Sequence, residues 1–438
     1  MGRFRKGSLW VGLILFPTLL FAQFNNNTTS PYSRYGLGDL QPYTMGRTLA
    51  MGGASLASRN NQQINLANPA SYTAVDSLVF MFEFGLHGRF SRFSTKENSM
   101  NANDVNFRYF AMNFQITNWL ATSLGLTPYS DVGYNVRIMD EVDNAGDILF
   151  NYYGEGSISK AFFGFAVDPV KNISVGVNFN YMFGLLNRSA ETYFLESSDF
   201  YNNQKYENLR LRDFNIGLGV QGTLPLKNNQ HLNAGIILEN KPSFTGFYSD
   251  MTKKTLTIPT GSTSSRSDQD TIKPFSSEER SRIEFPLTYG VGLSYVKENS
   301  LEINVDYYHQ SWSKAILPGR SNFMNENDRI LTDLDKFALG AEWIPDKFSI
   351  RSFLNRIAYR GGIKYEKSYL KIDNQQINDF GITFGVGLPV YRSNSTINIA
   401  AEIGRRGTKQ HNLVLENYAK INLSVNLYDL WFIQRRYD

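Results

Sequence analysis

The 438-residue chain contains no cysteine, which excludes a disulfide framework and a thiolate metal site. Histidine is nearly missing too. His87, His231, His309 and His411 are scattered along the chain, without H-E-x-x-H or any other ligand spacing. Ser55, in GGASLAS, lacks the trailing glycine of a G-x-S-x-G nucleophile elbow. The sequence therefore reads as a non-enzyme with no metal and no cofactor. There is little excess charge: the formal net charge is +4, and removing Arg3, Arg5 and Lys6 with the leader described below leaves +1 (4 − 3). A near-neutral chain gives no argument for a nucleic-acid partner.

Long hydrophobic runs are also lacking. The run LWVGLILFPTLLF (9–21) has thirteen residues, short of the about 20 that span a bilayer as a helix. With the basic cluster before it and Ala22 at its end, it has the layout of a cleaved secretory signal, expected over residues 1–22. No cysteine follows the expected cleavage site, so no lipoprotein anchor is expected. After residue 22 no stretch approaches a transmembrane helix, and the mean hydropathy is −0.33.

Aromatic residues, by contrast, make up 14% of the chain, and alternation is everywhere. In ISVGVNFNYMFG (173–184), Ile173, Val175, Val177, Phe179, Tyr181 and Phe183 share one face. Ser174, Gly176, Asn178, Asn180 and Gly184 share the other, interrupted only by Met182. LEINVDYY (301–308), FGITFGVGL (380–388) and INLSVNLY (421–428) repeat the pattern. Period two over many segments predicts strands. Fourteen are expected, over 77–92, 104–117, 119–138, 146–168, 172–194, 204–225, 230–249, 275–297, 300–315, 330–345, 354–372, 377–390, 395–410 and 414–430. Connections after even strands are mostly tight turns, and several after odd strands are longer and more polar, above all 247–279. That asymmetry, with export and an even strand number, predicts an all-β fold: a transmembrane antiparallel β-barrel in the outer membrane of a Gram-negative bacterium. One connection departs from it, WIPDKFSIRSFLN (343–355), which is long on the short-turn side and could carry a short helix.

About fourteen strands enclose more space than their own side chains fill, since roughly eight is the filled size. The Gly-, Asn- and Tyr-rich segment 23–76 precedes the first strand and is the candidate plug, leaving 77–438 as the barrel. Within it stand Gly46, Ala50-Met51-Gly52-Gly53-Ala54, Ala57 and Asn68-Pro69-Ala70. On these residues the chain resembles the FadL-type outer-membrane transporters, which carry long-chain fatty acids or aromatic hydrocarbons; SPYSRYGLGDL (30–40) is similar to the versions in Bacteroidetes-type bacteria. The resemblance implies a hatch inside the lumen, with Gly52, Gly53, Ala54, Asn68, Pro69 and Ala70 as its motif. It also implies a wall defect in the third strand through which a hydrophobic ligand leaves sideways.

Here that strand reads WLATSLGLTPYSDVGYNVRI, and Pro128 removes a ladder hydrogen bond from its middle. Thr127, Pro128, Tyr129 and Ser130 are the candidate lateral gate, a simple bulge being the other reading. If apolar faces meet lipid, Glu284, Glu302, Asp306, Glu342, Arg360, Lys364 and Glu402 face the lumen, because a charge on the lipid side costs about 2–4 kcal/mol near the midplane. These charges either line a polar path, with Arg360 and Lys364 for a carboxylate, or pair with one another and grip the plug.

The expected function is passive uptake of small hydrophobic molecules, with outer-membrane lipid and a hydrophobic ligand as partners. The alternative is a non-transporting structural or accessory subunit of an outer-membrane secretion or assembly complex. In that reading the loop 247–279, the N-terminal arm and the tail 434–438 would meet protein partners.

Overall fold

Strands dominate the computed structural model, which describes residues 28–41, 44–143, 145–195, 200–256, 268–273, 279–318 and 331–430. The leader expected over 1–22 and the tail 434–438 lie outside the described residues, as do parts of the 247–279 loop. Fourteen antiparallel strands close into a barrel: β1 (Val79–Ser94), β2 (Ser99–Thr117), β3 (Leu120–Val142), β4 (Gly146–Val170), β5 (Ile173–Phe194), β6 (Asn202–Pro225), β7 (Gln230–Glu239), β8 (Thr288–Lys297), β9 (Leu301–Gln310), β10 (Leu334–Trp343), β11 (Ala358–Ile372), β12 (Gln375–Pro389), β13 (Thr396–Arg406) and β14 (Leu415–Leu430). β14 pairs with β1 from Leu415↔Ser94 to Leu430↔Val79, so among these strands no edge is left at the closure. Closure satisfies backbone groups that a bilayer cannot.

Four further segments join the same sheet: Asp39–Leu40, Ser243–Leu256, Asp268–Lys273 and Glu279–Glu284. Ser243–Leu256 and Glu279–Glu284 continue β7 and β8 beyond breaks at 240–242 and 285–287 and pair with each other. These breaks are where Pro242 and Pro286 stand. The sequence expectation of one uninterrupted strand over 275–297 is corrected here.

The break also resets the alternation, and Glu284 is the casualty. Thr288 faces inward in β8, so an unbroken strand would turn Glu284 inward with it. Instead Ile283 and Phe285 are buried in the interior, and Glu284 takes the face opposite Ile283, where it pairs with Lys241 and with Arg282 at 2.6 Å.

The alternation holds across β5: Ile173, Val175, Phe179 and Phe183 are exposed on the outer face, while Ser174, Asn178 and Asn180 are buried. Met182, the exception in the polar row, belongs to an apolar core that fills the loop-side half of the lumen together with Leu186, Leu209, Leu211, Tyr32 and Trp312. The turn-side connections are short at 118–119, 171–172, 226–229 and 298–300, but 344–357 is long and carries a helical turn, Phe353–Arg356.

Candidate functional site: the interrupted seam and the segment behind it

Strands β2 and β3 pair only from Phe110↔Leu126 to Thr117↔Leu120. Towards the loop side, Ser99–Tyr109 continues along β1 and Thr127–Val142 along β4, and the two part company. The cause is local. Pro128 has no N–H to give, and the β3–β4 register shifts between Pro128 and Ser130, leaving Tyr129 as the extra residue of a bulge. Tyr129 turns inward and stacks on Phe285, with ring centroids 5.4 Å apart. Thr127 and Pro128 are half-buried at the break, and Ser130 is fully buried.

The bared edge of β3 is not left open. Asp39 and Leu40 pair with Asp131 and Ser130, and the Gln41 N–H donates to the Tyr129 carbonyl at 2.9 Å. Ser33 then takes both groups of Gly133: its hydroxyl donates to the carbonyl, and the Gly133 N–H donates back, each at 3.1 Å. On the other lip, the Thr29 hydroxyl donates to Asp104 of β2 at 3.1 Å. Ser33 and residues 39–41 thus cover the bared edge of β3 from Tyr129 to Gly133 from inside.

The rest of this segment crosses the lumen. Gly52 and Gly53 adopt φ of 66° and 85°, the left-handed region that a side chain resists, and Ala54 follows them fully buried. The Gly52 N–H donates to Thr383 Oγ1 at 2.8 Å, and Asp306 accepts the N–H groups of Ser55 and Leu56. Pro69 opens a 3-10 helix, Pro69–Ala74, whose cap is Asn68: its side chain accepts from the Ala70 N–H at 3.1 Å and donates to the Leu56 carbonyl at 2.9 Å. The barrel wall makes room for this turn, since a Cβ on Gly176 would lie 2.4 Å from the Pro69 carbonyl carbon.

The lumen charges are gathered around the segment. Arg47 donates from Nε to Glu342 at 2.8 Å and pairs with Glu302 through Nη2. Arg360 closes on the same Glu342 at 2.6 Å and on Asn398 at 2.7 Å. Lys364 pairs with Glu402 at 2.6 Å, and Glu402 also meets Lys420 at 3.2 Å and the Tyr418 hydroxyl at 2.8 Å. Arg360 and Lys364 are therefore engaged with carboxylates of the wall. Nearer the seam, Asp39 sits between Arg406 (2.6 Å) and Arg89 (3.4 Å). Burial alone would raise the Asp39 carboxyl, and Arg406 and Arg89 outweigh it, holding the group below the usual carboxylate range.

Between these parts lies a cavity of about 260 Å³. Leu40, Phe107, Leu126, Pro128 and Tyr129 line its seam side, and Lys364, Glu402, Arg406 and Lys420 line the far side. At the seam the apolar side chains share the lining with Gln41, Arg108 and Asp131, where Arg108 donates to the Gln41 side chain at 3.4 Å and Gln41 donates to Asp131 at 2.7 Å; the far side is charged. Arg47, Arg89, Arg406 and Asp39 went unrecognised in the sequence. The signal available was an isolated Arg in a small-residue segment, at Gly46-Arg47, with carboxylates in phase on strands hundreds of residues away.

The scattered histidines do acquire neighbours. His309 Nδ1 lies 2.8 Å from Asp335 and Nε2 lies 3.3 Å from Ser311 Oγ, an order resembling a hydrolytic triad. The Ser311 N–H is engaged by the Leu287 carbonyl at 3.0 Å, so it is not available to an oxyanion. Among the described residues no group of three or more His, Asp or Glu side chains is placed to hold a metal ion.

Known structures share the barrel. The toluene transporter TodX of Pseudomonas putida superposes with a TM-score of 0.58 at 15% identity, over 90% of this chain and all of that one. The toluene transporter TbuX of Ralstonia pickettii gives 0.57 at 13% identity, over 88% and 99%. A FadL homologue of Pseudomonas aeruginosa gives 0.54 at 10% identity, over 90% and 100%. At these identities the likeness is one of fold, and it is the FadL-type fold. No curated protein matches the sequence. The family model described as BamG matches residues 5–438, and the chain belongs to that family.

Proposed function

We propose that this chain is an outer-membrane barrel for passive uptake of small hydrophobic molecules, fatty-acid-like or hydrocarbon, through a lumen gated by its N-terminal segment, with sideways exit at the β2–β3 seam. One observation carries the reading: the lumen cavity reaches the wall break at Pro128, where Leu40, Phe107, Leu126 and Tyr129 contribute apolar lining. An amphiphile could rest there with its polar end on the charged wall, and displacement of residues 39–41 from β3 would open a path into the membrane. The solved barrels of like fold named as toluene transporters support the substrate class. The test is uptake: cells lacking the protein accumulate a labelled hydrocarbon or fatty acid more slowly, and the purified barrel retains a lipid-like ligand. Unchanged uptake and an empty cavity sink the proposal.

A second reading, a non-transporting accessory subunit, is favoured by the way the N-terminal segment is bolted down. Arg47 and Asp39 each make ion pairs with two wall residues, which makes the segment part of the fold as much as a moving part. Purification in mild detergent decides between them: a stoichiometric protein partner supports the subunit, and a ligand-loaded monomer opposes it.

A further inference from the structure

On the outer face of the barrel, towards the loop side, one row of residues runs across three neighbouring strands. Arg92 of β1 stands opposite Asn417 of β14, and Asn417 stands opposite Arg405 of β13. All three are exposed. The two arginines are two strand spacings apart, about 10 Å, so their long side chains can close over Asn417 from both sides. Among the described residues neither arginine has a carboxylate partner, in contrast to the lumen arginines.

One step towards the membrane, the next row reads Phe90, Ala419, Ile403. Ala419 is a small residue between two large ones, so Phe90 and Ile403 flank a shallow trough over Ala419, which Ile421 ends one step further along β14. The trough belongs to an open groove of about 970 Å³ that also includes Arg92, Asn417 and Arg405. Two unpaired guanidinium groups over an apolar trough, on a face turned to the bilayer, present a charge and a hydrophobic surface to the same molecule. Arginine forks match phosphate oxygens in pairs, and the apolar side chains of the groove, Phe90, Phe380, Ile382 and Ile403, offer contact to an acyl chain.

We propose that this groove binds a phosphate-bearing glycolipid of the loop-side leaflet, with Arg92 and Arg405 on the phosphate, Asn417 between them and an acyl chain along Ala419. The site lies on the outside of the wall and does not depend on transport through the lumen.

The experiment uses the full-length barrel in mild detergent, exchanged in turn with phosphorylated lipid A, the same glycolipid stripped of phosphate, and phosphatidylglycerol, with retained lipid counted by native mass spectrometry. Phosphorylated lipid A should remain bound and the other two should be lost. Arg92→Gln and Arg405→Gln should each lower retention about five-fold, the worth of one arginine near an anionic surface. Ala419→Trp, which fills the trough without changing charge, should lower it as well. Heat-modifiable gel migration verifies that each variant is a closed barrel. Equal retention of the phosphate-free glycolipid, preference for phosphatidylglycerol, or indifference to both arginine changes overturns the proposal.

Discussion

The Gln41 amide donates to the Tyr129 carbonyl at 2.9 Å, joining the N-terminal segment to the one residue that the third strand has in excess. The contact links two irregularities. A bulge at Pro128 leaves a strand edge bare, and a segment without a strand period supplies two residues of strand to cover it.

Leu40 and Ser130 are cross-strand partners, and the chain has no cysteine of its own. Leu40→Cys with Ser130→Cys should form a disulfide on mild oxidation, because paired strand residues fall within the bridging range. Peptide mapping without reductant reads the cross-link. If the segment must leave the seam during uptake, oxidation stops transport and reductant restores it; transport unaffected by the bridge removes movement of residues 39–41 from the mechanism.

Arg47→Met should destabilise the lumen by about 3–5 kcal/mol, because it strands the buried carboxylates of Glu302 and Glu342. Glu342 keeps Arg360, so Glu302 bears most of the loss. Thermal unfolding reports the total, and hydrogen exchange over residues 44–58 should show that protection is lost there first.

Gly340 tests packing in the absence of charge. A Cβ on it would lie 2.2 Å from the Met51 carbonyl oxygen, whereas one on Gly222 meets nothing within 4 Å. Gly340→Val should push the segment off the wall and raise single-channel conductance in planar bilayers, with the barrel still closed. Gly222→Ala should leave conductance unchanged.

Acid should loosen the seam. The Asp39 carboxyl lies below its usual range because Arg406 and Arg89 outweigh the burial that would raise it. Its contribution to stability is therefore complete above the ordinary carboxylate value of about 3.9 and is lost as pH falls further through the lowered value. Proteolysis within residues 28–41 should accelerate in that acid range, and Asp39→Asn should remove this component of the pH dependence.

The strands were legible because each carries its own signal: a lipid-facing row of Ile, Val and Phe against a row of Gly, Asn and Ser, as in β5. Asp306, Glu302, Glu342 and Glu402 could be assigned to the inner face on phase alone. Glu284 could not, because the break at 285–287 shifts the phase and no local residue announces by how much. The loop-side apolar core was hidden for a different reason: phase turns Met182 and Leu186 inward, but apolar residues on the inner face break the polar row without showing which strands supply their partners. The partners of Arg47 and Asp39 were hidden because pairing inside a closed ring follows no sequence spacing.

The longest-range of these contacts concern how the molecule comes into being. The Ser30 hydroxyl donates to Glu416 across 386 positions of sequence, and Asp39 meets Arg406 across 367. The earliest described part of the chain to emerge thus finds partners on the last two strands. Contacts of such separation are slow to form, so the segment's hold on Glu416 and Arg406 must wait until the ring is nearly complete. Locking of the segment would then be a late step in maturation, and a truncation that removes β13 and β14 should leave residues 28–41 more open to protease than in the complete barrel.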